Sequence, residues 1–383
     1  MARKFMMPKT AWLGKDSLQS AEKGICALGK KALIVSGRSM IQQGYMRMLT
    51  DILERNSISW EMFSDISGEP TDQMIIKGTQ IYKDTKCDFI IGFGGGSPID
   101  SAKAIGVLAV SKSKLSDYLG KDITFPLPPI VAIPTTAGTG SEVTQFSIIT
   151  DTTTNIKMLL KGNTLIPTLA IIDPEFTIHA TENVTVASGL DALTHAIEAY
   201  TSKKAYEQSD RYAISAVKKI FNYLPLTLEE PENIEYRNQM SIAAYEAGVS
   251  FSNSSVTLVH GMSRPIGALF HIPHGISNAM LLGVCLEYAL SGAYNRFADF
   301  GRAVGVAKAD LSDIEASKSF LQAVKNSCIL CKVPTLCEYG IDKRDFVAQI
   351  PKMAKDAIAS GSPANTRRNI TASDIEELYK KLW

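Results

Sequence analysis

No apolar run in the 383 residues approaches the roughly 18 that a membrane span requires. The longest candidates, at 104–110 and 279–286, have the length of buried elements, so no membrane partner is expected. The N-terminus, MARKFMMPKTAWLG, lacks an apolar stretch of signal-peptide length, which makes the cytoplasm the expected location. Charge of one sign is missing as well. Lys plus Arg number 40 against 39 Asp plus Glu, a balance unsuited to binding by phosphate neutralisation, so nucleic acid is not an expected partner. Neither GxGxxG nor GxxxxGK[ST] occurs, which weakens a standard Rossmann or P-loop assignment. No fixed-period repeat, low-complexity tract or Gly/Ser linker breaks the chain. The six cysteines include a CxxC, Cys328 and Cys331, followed by Cys337. Without a fourth-ligand pattern, and in an apolar helical neighbourhood, these read as plain buried thiols.

What is present is an ordinary globular composition, 45% hydrophobic and 21% charged, long enough for two domains. In the first half, short β-branched runs (KALIVS at 31–36, ISWEMF at 58–63, DFIIGF at 88–93, PIVAIP at 129–134, LAIID at 169–173) alternate with helical stretches. Such alternation signals βαβ units and a mostly parallel sheet. From about Thr181 the apolar residues recur at helical spacing, as in 210–224 and 312–331. The expected division is therefore an α/β domain over 1–180 and an all-helical domain over 181–383.

Two glycine turns carry the chemistry of the first half. In DFIIGFGGGSPIDSAKAIGVLAV, Gly94, Gly95 and Gly96 follow a buried strand and precede Ser97, Pro98 and a helix. Glycines there allow close backbone approach, and the helix N-terminus offers free N–H groups to a phosphate; the plain alternative is a tight turn. PTTAGTGSEVT, at 134–144, repeats the arrangement with the hydroxyls of Thr135, Thr136, Thr139, Ser141 and Thr144. Two adjacent anion turns imply a dinucleotide.

Of the five histidines, four fall in two segments. Asp191 and His195 in GLDALTHAIEAY are four apart and share a helix face, which suits either a ligand pair or an Asp that orients a core His. HGMSRPIGALFHIPHG adds His260, His271 and His274. One carboxylate and three imidazoles make a donor set for Fe(II) or Zn(II), though spacing alone leaves the choice among the last three histidines open.

Together GGGSPID, PTTAGTGSE, DALTHAIEAY and HGMSRPIGALFHIPHG resemble the iron-containing, or group III, alcohol dehydrogenase family, in order and spacing over nearly the whole chain. The resemblance implies an N-terminal dinucleotide-binding α/β domain and a C-terminal all-α metal-binding domain, the dehydroquinate synthase-like architecture. It places the metal ligands on Asp191, His195, His260 and His274, and so passes over His271. It places cofactor contacts on Gly95, Gly96, Ser97 and Asp100, on Thr135, Thr136, Thr139 and Thr144, and on Lys157; Phe251 matches a pocket-wall aromatic. The implied activity is hydride transfer between NAD(P)H and a short aldehyde polarised by a divalent metal, Fe2+ or Zn2+, in a homodimer or larger homo-oligomer.

Two positions depart from the family's pattern. Arg264 stands where many members carry a second histidine used for proton relay. Arg keeps its charge at physiological pH and suits an anionic head group, so a small anionic aldehyde such as sulfoacetaldehyde is the expected substrate. The alternative is an Arg264 ion-paired within the fold, in a general dehydrogenase of neutral short-chain primary alcohols or diols. Gly37 stands where NAD-preferring members carry an Asp. With that acid gone, Ser36 and Arg38 are available to a 2′-phosphate, which keeps both cofactors open and tips the balance towards NADP(H). Rival readings are a glycerol dehydrogenase or dehydroquinate synthase type, a metal hydrolase that leaves both phosphate turns unused, and a catalytically silent nucleotide-binding protein.

Overall fold

KALIVS, FIIGFG, IVAIP and LAII are apolar at nearly every position, the pattern of strands covered on both faces. In the computed structural model, which describes residues 2–154 and 156–383 without the side chain of Ser39, these runs are central strands. The strands are β1 (Thr10–Leu13), β2 (Lys31–Ser36), β3 (Ser59–Phe63), β4 (Phe89–Gly94), β5 (Ile130–Pro134), β6 (Phe146–Asp151), β7 (Ile156–Lys161) and β8 (Leu169–Ile172). Six form one sheet in the order β1-β8-β5-β4-β2-β3, with every pair parallel. Alternate side chains serve opposite layers. Ala32 and Ile34 pack with Leu49 and Leu53, whereas Leu33 and Val35 pack with Ile75 and Ile105. The carboxyl ends of β2, β4 and β5 lie side by side, Ser36 opposite Phe93 and Gly94 opposite Pro134, so Gly37 and both glycine turns emerge along one edge of the sheet.

Neither β1 nor the antiparallel hairpin β6–β7 is expected from the sequence. The first is a four-residue edge strand whose TAWL stays largely exposed. The second arm of the hairpin, IKMLLK, is only half covered and begins and ends on exposed residues, so it carries no continuous apolar signal.

The chain divides into two compact units. The α/β unit comprises Met6–Thr181 with Pro231–Gly248; the helical unit comprises Glu182–Glu230 and Val249–Trp383 with the residues up to Phe5. The junction at 181/182 is one residue from the expected boundary, but two segments belong to the unit opposite to that expectation. Arg237 donates to the carbonyls of Pro231 (2.7 Å) and Ala180 (3.3 Å), which anchors 231–248. Arg3 donates to the carbonyl of Lys204 (2.6 Å), which anchors the N-terminal residues.

The helix that follows β4 is α1 (Gly96–Val110). The helical unit contains α2 (Glu182–Thr201), α3 (Glu207–Glu229), the end of α4 (Ile234–Ser254), α5 (Leu258–Phe270) and α6 (His274–Ala289), then helices at Tyr294–Ala303, Asp313–Leu330, Lys343–Ala359 and Ala372–Lys380. Among the described residues no single helix is long and apolar enough to cross a membrane.

Candidate metal and cofactor sites

Helix α2 presents Asp191, His195 and Glu198 at successive turns of one face. Helix α5 brings His260 in its first turn, and α6 begins on His274. The approach of α6 to α2 depends on Gly275, where a Cβ would lie 2.2 Å from the Ala187 carbonyl oxygen. His260 Nε2 stands 3.7 Å and His274 Nε2 3.9 Å from Asp191 Oδ1, and His195 Nδ1 stands 3.9 Å from Asp191 Oδ2. Metal bonds of about 2.1 Å in tetrahedral order would set such atoms roughly 3.4 Å apart, so a contraction of a few tenths of an ångström fits an ion. His195 lies stacked between Phe251, 4.0 Å away, and His260, 4.4 Å away.

Two of these imidazoles, His260 and His274, are held in the neutral form, the form in which an imidazole can bind a metal. Burial first, and then the neighbouring His195 and the Arg264 cation, hold His260 well below its ordinary pKa. His274 is pulled down to about 3, again chiefly by burial. Glu198, fully buried, accepts from Thr257 Oγ1 (2.7 Å), from the Val259 N–H (2.6 Å) and from His260 Nδ1 (2.5 Å). It thereby caps the first turn of α5 and fixes the His260 tautomer with its Nε2 lone pair towards Asp191. Asn278, one turn after His274, also faces the cluster. Sequence reasoning missed both. Their signal was positional, Glu198 seven residues after Asp191 and Asn278 four after His274, each on the same helix face as that residue.

His271 lies apart from this group. It is exposed and caps α5 with φ of 54°. Arg264, one turn beyond His260, donates from Nη1 to Ser362 Oγ at 3.3 Å, and its buried Nε has no partner among the described residues. The CxxC forms no metal cluster with Cys337 among the described residues. Cys331 is buried and Cys328 half-buried, as plain thiols whose pKa burial raises to about 11 and about 12, but Cys337 is exposed.

In the α/β unit the two glycine turns abut. Gly94 has φ of 151°, and a Cβ on Gly96 would come within 2.9 Å of the Thr139 side chain. Gly95 caps α1 without any side-chain bond, which leaves first-turn N–H groups uncapped, the kind of end that can accept an anion. Gly95, Gly96, Ser97, Thr136 and Thr139 form a half-buried rim, whereas Thr135 and Thr144 are buried.

Other sequence-selected positions are engaged within the protein. The Thr144 hydroxyl receives Lys103 Nζ at 3.2 Å, and Asp100 accepts from Ser141 Oγ and from the Ile148 N–H (2.9 Å), so both bind the second turn to α1 and β6. Lys157 pairs with Glu69. Ser36 is fully buried and donates to the Phe93 carbonyl at 2.7 Å, which removes it from a 2′-phosphate. Beyond Gly37, Arg38 is exposed and pairs with Asp65 at 3.4 Å.

Lys103 also donates to the carbonyls of Thr144 (2.9 Å) and Phe146 (2.7 Å). Burial pulls its pKa down to about 8 and pushes the Glu142 carboxyl from 4.5 up to about 7. Glu142 holds its proton more tightly folded than unfolded. Its contribution to stability is therefore complete below about 4.5 and is lost as pH rises through about 7. Glu142→Gln should match the wild type near the low end of that window, gain on it as pH rises and level off above it, by at most about 3 kcal/mol. Chemical denaturation across this range checks it; a pH-independent difference would remove Glu142 as the titrating group.

Residues 8–174 match the model of the family described as iron-containing alcohol dehydrogenase, and 185–383 match the C-terminal model of the Fe-containing alcohol dehydrogenase family. The NAD-dependent methanol dehydrogenase of Bacillus methanolicus is 33% identical over 98% of either chain. The crystal structure of a 1,3-propanediol oxidoreductase superposes with a TM-score of 0.96 at 30% identity, covering 100% of both chains. A sulfoacetaldehyde reductase from Bifidobacterium kashiwanohense, in complex with NAD+, superposes at 0.88 with 26% identity, covering 100% of this chain and 99% of that one.

Proposed function

The chain belongs to the iron-containing alcohol dehydrogenase family, and we propose that Asp191, His195, His260 and His274 hold its divalent metal ion, Fe(II) or Zn(II). It is a metal-dependent, NAD-linked oxidoreductase of alcohols and aldehydes. The observation that carries the ligand assignment is the convergence of three imidazoles on one buried carboxylate, each with a ring nitrogen within 3.9 Å of it. When bound, the ion supplies a Lewis acid for a carbonyl oxygen and the dinucleotide supplies the hydride.

The chain's own residues do the rest. Glu198 holds the Nδ1 proton of His260 and so keeps Nε2 free to coordinate. Phe251 covers one face of the His195 ring and excludes water from it. Gly95, Gly96 and Ser97 at the start of α1, with Thr136 and Thr139, receive the pyrophosphate. Thr135, Thr144 and Asp100 frame these turns, and Lys157 exchanges its pairing with Glu69 for the cofactor. Near Gly37, Asp65 beside Arg38 returns a carboxylate to the edge where the expected acid is missing, which supports NAD(H) over NADP(H). Arg264 keeps its proton, so protons leave by water. A homo-oligomer, at least a dimer, belongs to the same reading; the edge strand β1, with Trp12 40% and Leu13 41% exposed, supports it. So does a cytoplasmic setting, in line with six cysteines that form no disulfide.

The preferred substrate is a short aldehyde with an anionic end, sulfoacetaldehyde being a suitable size. The half-buried Arg264 has a buried Nε–H with no partner among the described residues, and a sulfonate or carboxylate accepts a forked, charge-assisted bond from a guanidinium. A neutral short-chain alcohol or diol is the second reading, supported by the names of the methanol and propanediol relatives. Metal-reconstituted protein, assayed anaerobically for Fe(II), should favour sulfoacetaldehyde over propanal by about 100-fold in kcat/KM, roughly 2.7 kcal/mol. Arg264→Ala should remove most of that preference through KM while leaving propanal within about tenfold. Equal losses on both aldehydes would make Arg264 structural and leave the neutral-substrate reading standing.

A further inference from the structure

Among the four helix-borne donors lies a fifth polar group. Asn278 is fully buried, and its Nδ2 stands 2.7 Å from Asp191 Oδ1, 3.2 Å from His260 Nε2 and 3.2 Å from His274 Nε2. One amide nitrogen is thus within bonding reach of three atoms assigned above to the metal. Its Oδ1 is buried with no partner among the described residues.

The chemistry of this arrangement is specific. Because the Nδ1–H of His260 donates to Glu198, the His260 Nε2 carries a lone pair; with Asp191 and His274, three electron-rich atoms face one another around the buried Asn278. They repel without a positive partner. The two N–H bonds of Asn278 supply one, donating to Asp191 and to the imidazole lone pairs between them. A cation needs those same lone pairs, and an N–H directed at them excludes it. The side chain has no solvent to swing into, so its available motion is rotation of the terminal amide, which replaces Nδ2 by Oδ1.

We infer that Asn278 is a positioning residue of the metal site: its amide N–H groups hold the donors together before the ion arrives, and its amide oxygen turns to the ion afterwards. This rests on the metal reading given above. Asn278 therefore sets how tightly the ion is held and contributes to the ligand field.

The test uses full-length protein stripped by chelator and titrated with Co(II) against a competing chelator, with visible absorption and thermal melts recorded throughout. Asn278→Ala should weaken Co(II) binding by about 10–100-fold, alter the d–d absorption and lower the melting temperature of the metal-free protein. Asn278→Asp should act with the opposite sign on binding. A second carboxylate beside Asp191 lowers the metal-free melting temperature further but restores or exceeds wild-type affinity, so Co(II) raises its melting temperature more than it does the wild type's. If the Ala variant does not fold, Asn278→Ser carries the same expectation for affinity and spectrum. Wild-type affinity and spectrum in Asn278→Ala or Asn278→Ser, or an Asp variant that weakens binding as Ala does, would overturn the role of Asn278 alone. Failure of the wild type to bind Co(II) would overturn the metal reading and this role together.

Discussion

Asp191→Ala is expected to lose bound metal and turnover together, with kcat/KM falling by roughly 10^4-fold, some 5–6 kcal/mol. Asp191 is the one carboxylate in the donor set, only 3% exposed, and it faces His195, His260 and His274 at 3.7–3.9 Å. Without it a divalent charge would meet three neutral nitrogens in a desolvated pocket, and the repayment of its lost hydration would fail. Asp191→Asn keeps the shape without the charge and should fall nearly as far, which separates electrostatics from packing. NADH binding, followed by its fluorescence, should stay near wild type in both variants, because the glycine turns belong to the α/β unit. Metal content, kinetics and circular dichroism decide the matter. A folded Asp191→Ala enzyme with stoichiometric metal and activity within tenfold would remove Asp191 from the ligand set.

Gly275→Ala should produce the second largest effect, and through sterics alone. The added methyl would lie 2.2 Å from the oxygen and 2.8 Å from the carbon of the Ala187 carbonyl. Both are backbone atoms, so neither α2 nor α6 can yield locally. We expect a loss on the order of 3 kcal/mol, roughly 6–12 °C in Tm, and a weakened metal site as His274 is levered away from Asp191. Gly283→Ala in the same helix is the control. Its methyl would meet only the Lys325 side chain, at 3.4 Å, and helix propensity favours the change by up to about 1 kcal/mol. Equal melting temperatures for the two variants would contradict the close helix approach.

How far the molecule was legible in its sequence depended on whether a signal was local. The strands β2, β4, β5 and β8 could be read because burial on both faces demands an unbroken apolar run. TAWL at the edge and the half-covered hairpin strands make no such demand. The pairing of Asp191 with His195 was visible because one helix turn separates them. Glu198 and Asn278 were not, because their meaning arises only where α5 and α6 meet α2: a glutamate beside an alanine-rich helix face resembles any surface acid until Val259 and His260 direct their N–H groups at it. Hydroxyl-rich strings are ambiguous for a related reason. Thr144 and Asp100 serve the turn's own scaffold through Lys103, Ser141 and Ile148, and nothing in PTTAGTGSEVT distinguishes a hydroxyl turned outward from one turned in.

The order in which the chain leaves the ribosome gives the interleaved units a further meaning. Strand β1 must wait for β8, since Thr10 pairs with Leu169, and parallel pairing across such a span is slow. Even then the α/β unit lacks 231–248, which emerges only after 182–230, a stretch that belongs to the other unit. The sheet has all six strands once β8 has emerged, but the unit gains its last helical segment only after a stretch that belongs to the other unit. A fragment cut at 181 would lack the helix whose Gly248 packs against Gly140, and a fragment begun at 182 would lack the N-terminal residues tied to Lys204. Neither unit corresponds to one contiguous stretch of the sequence.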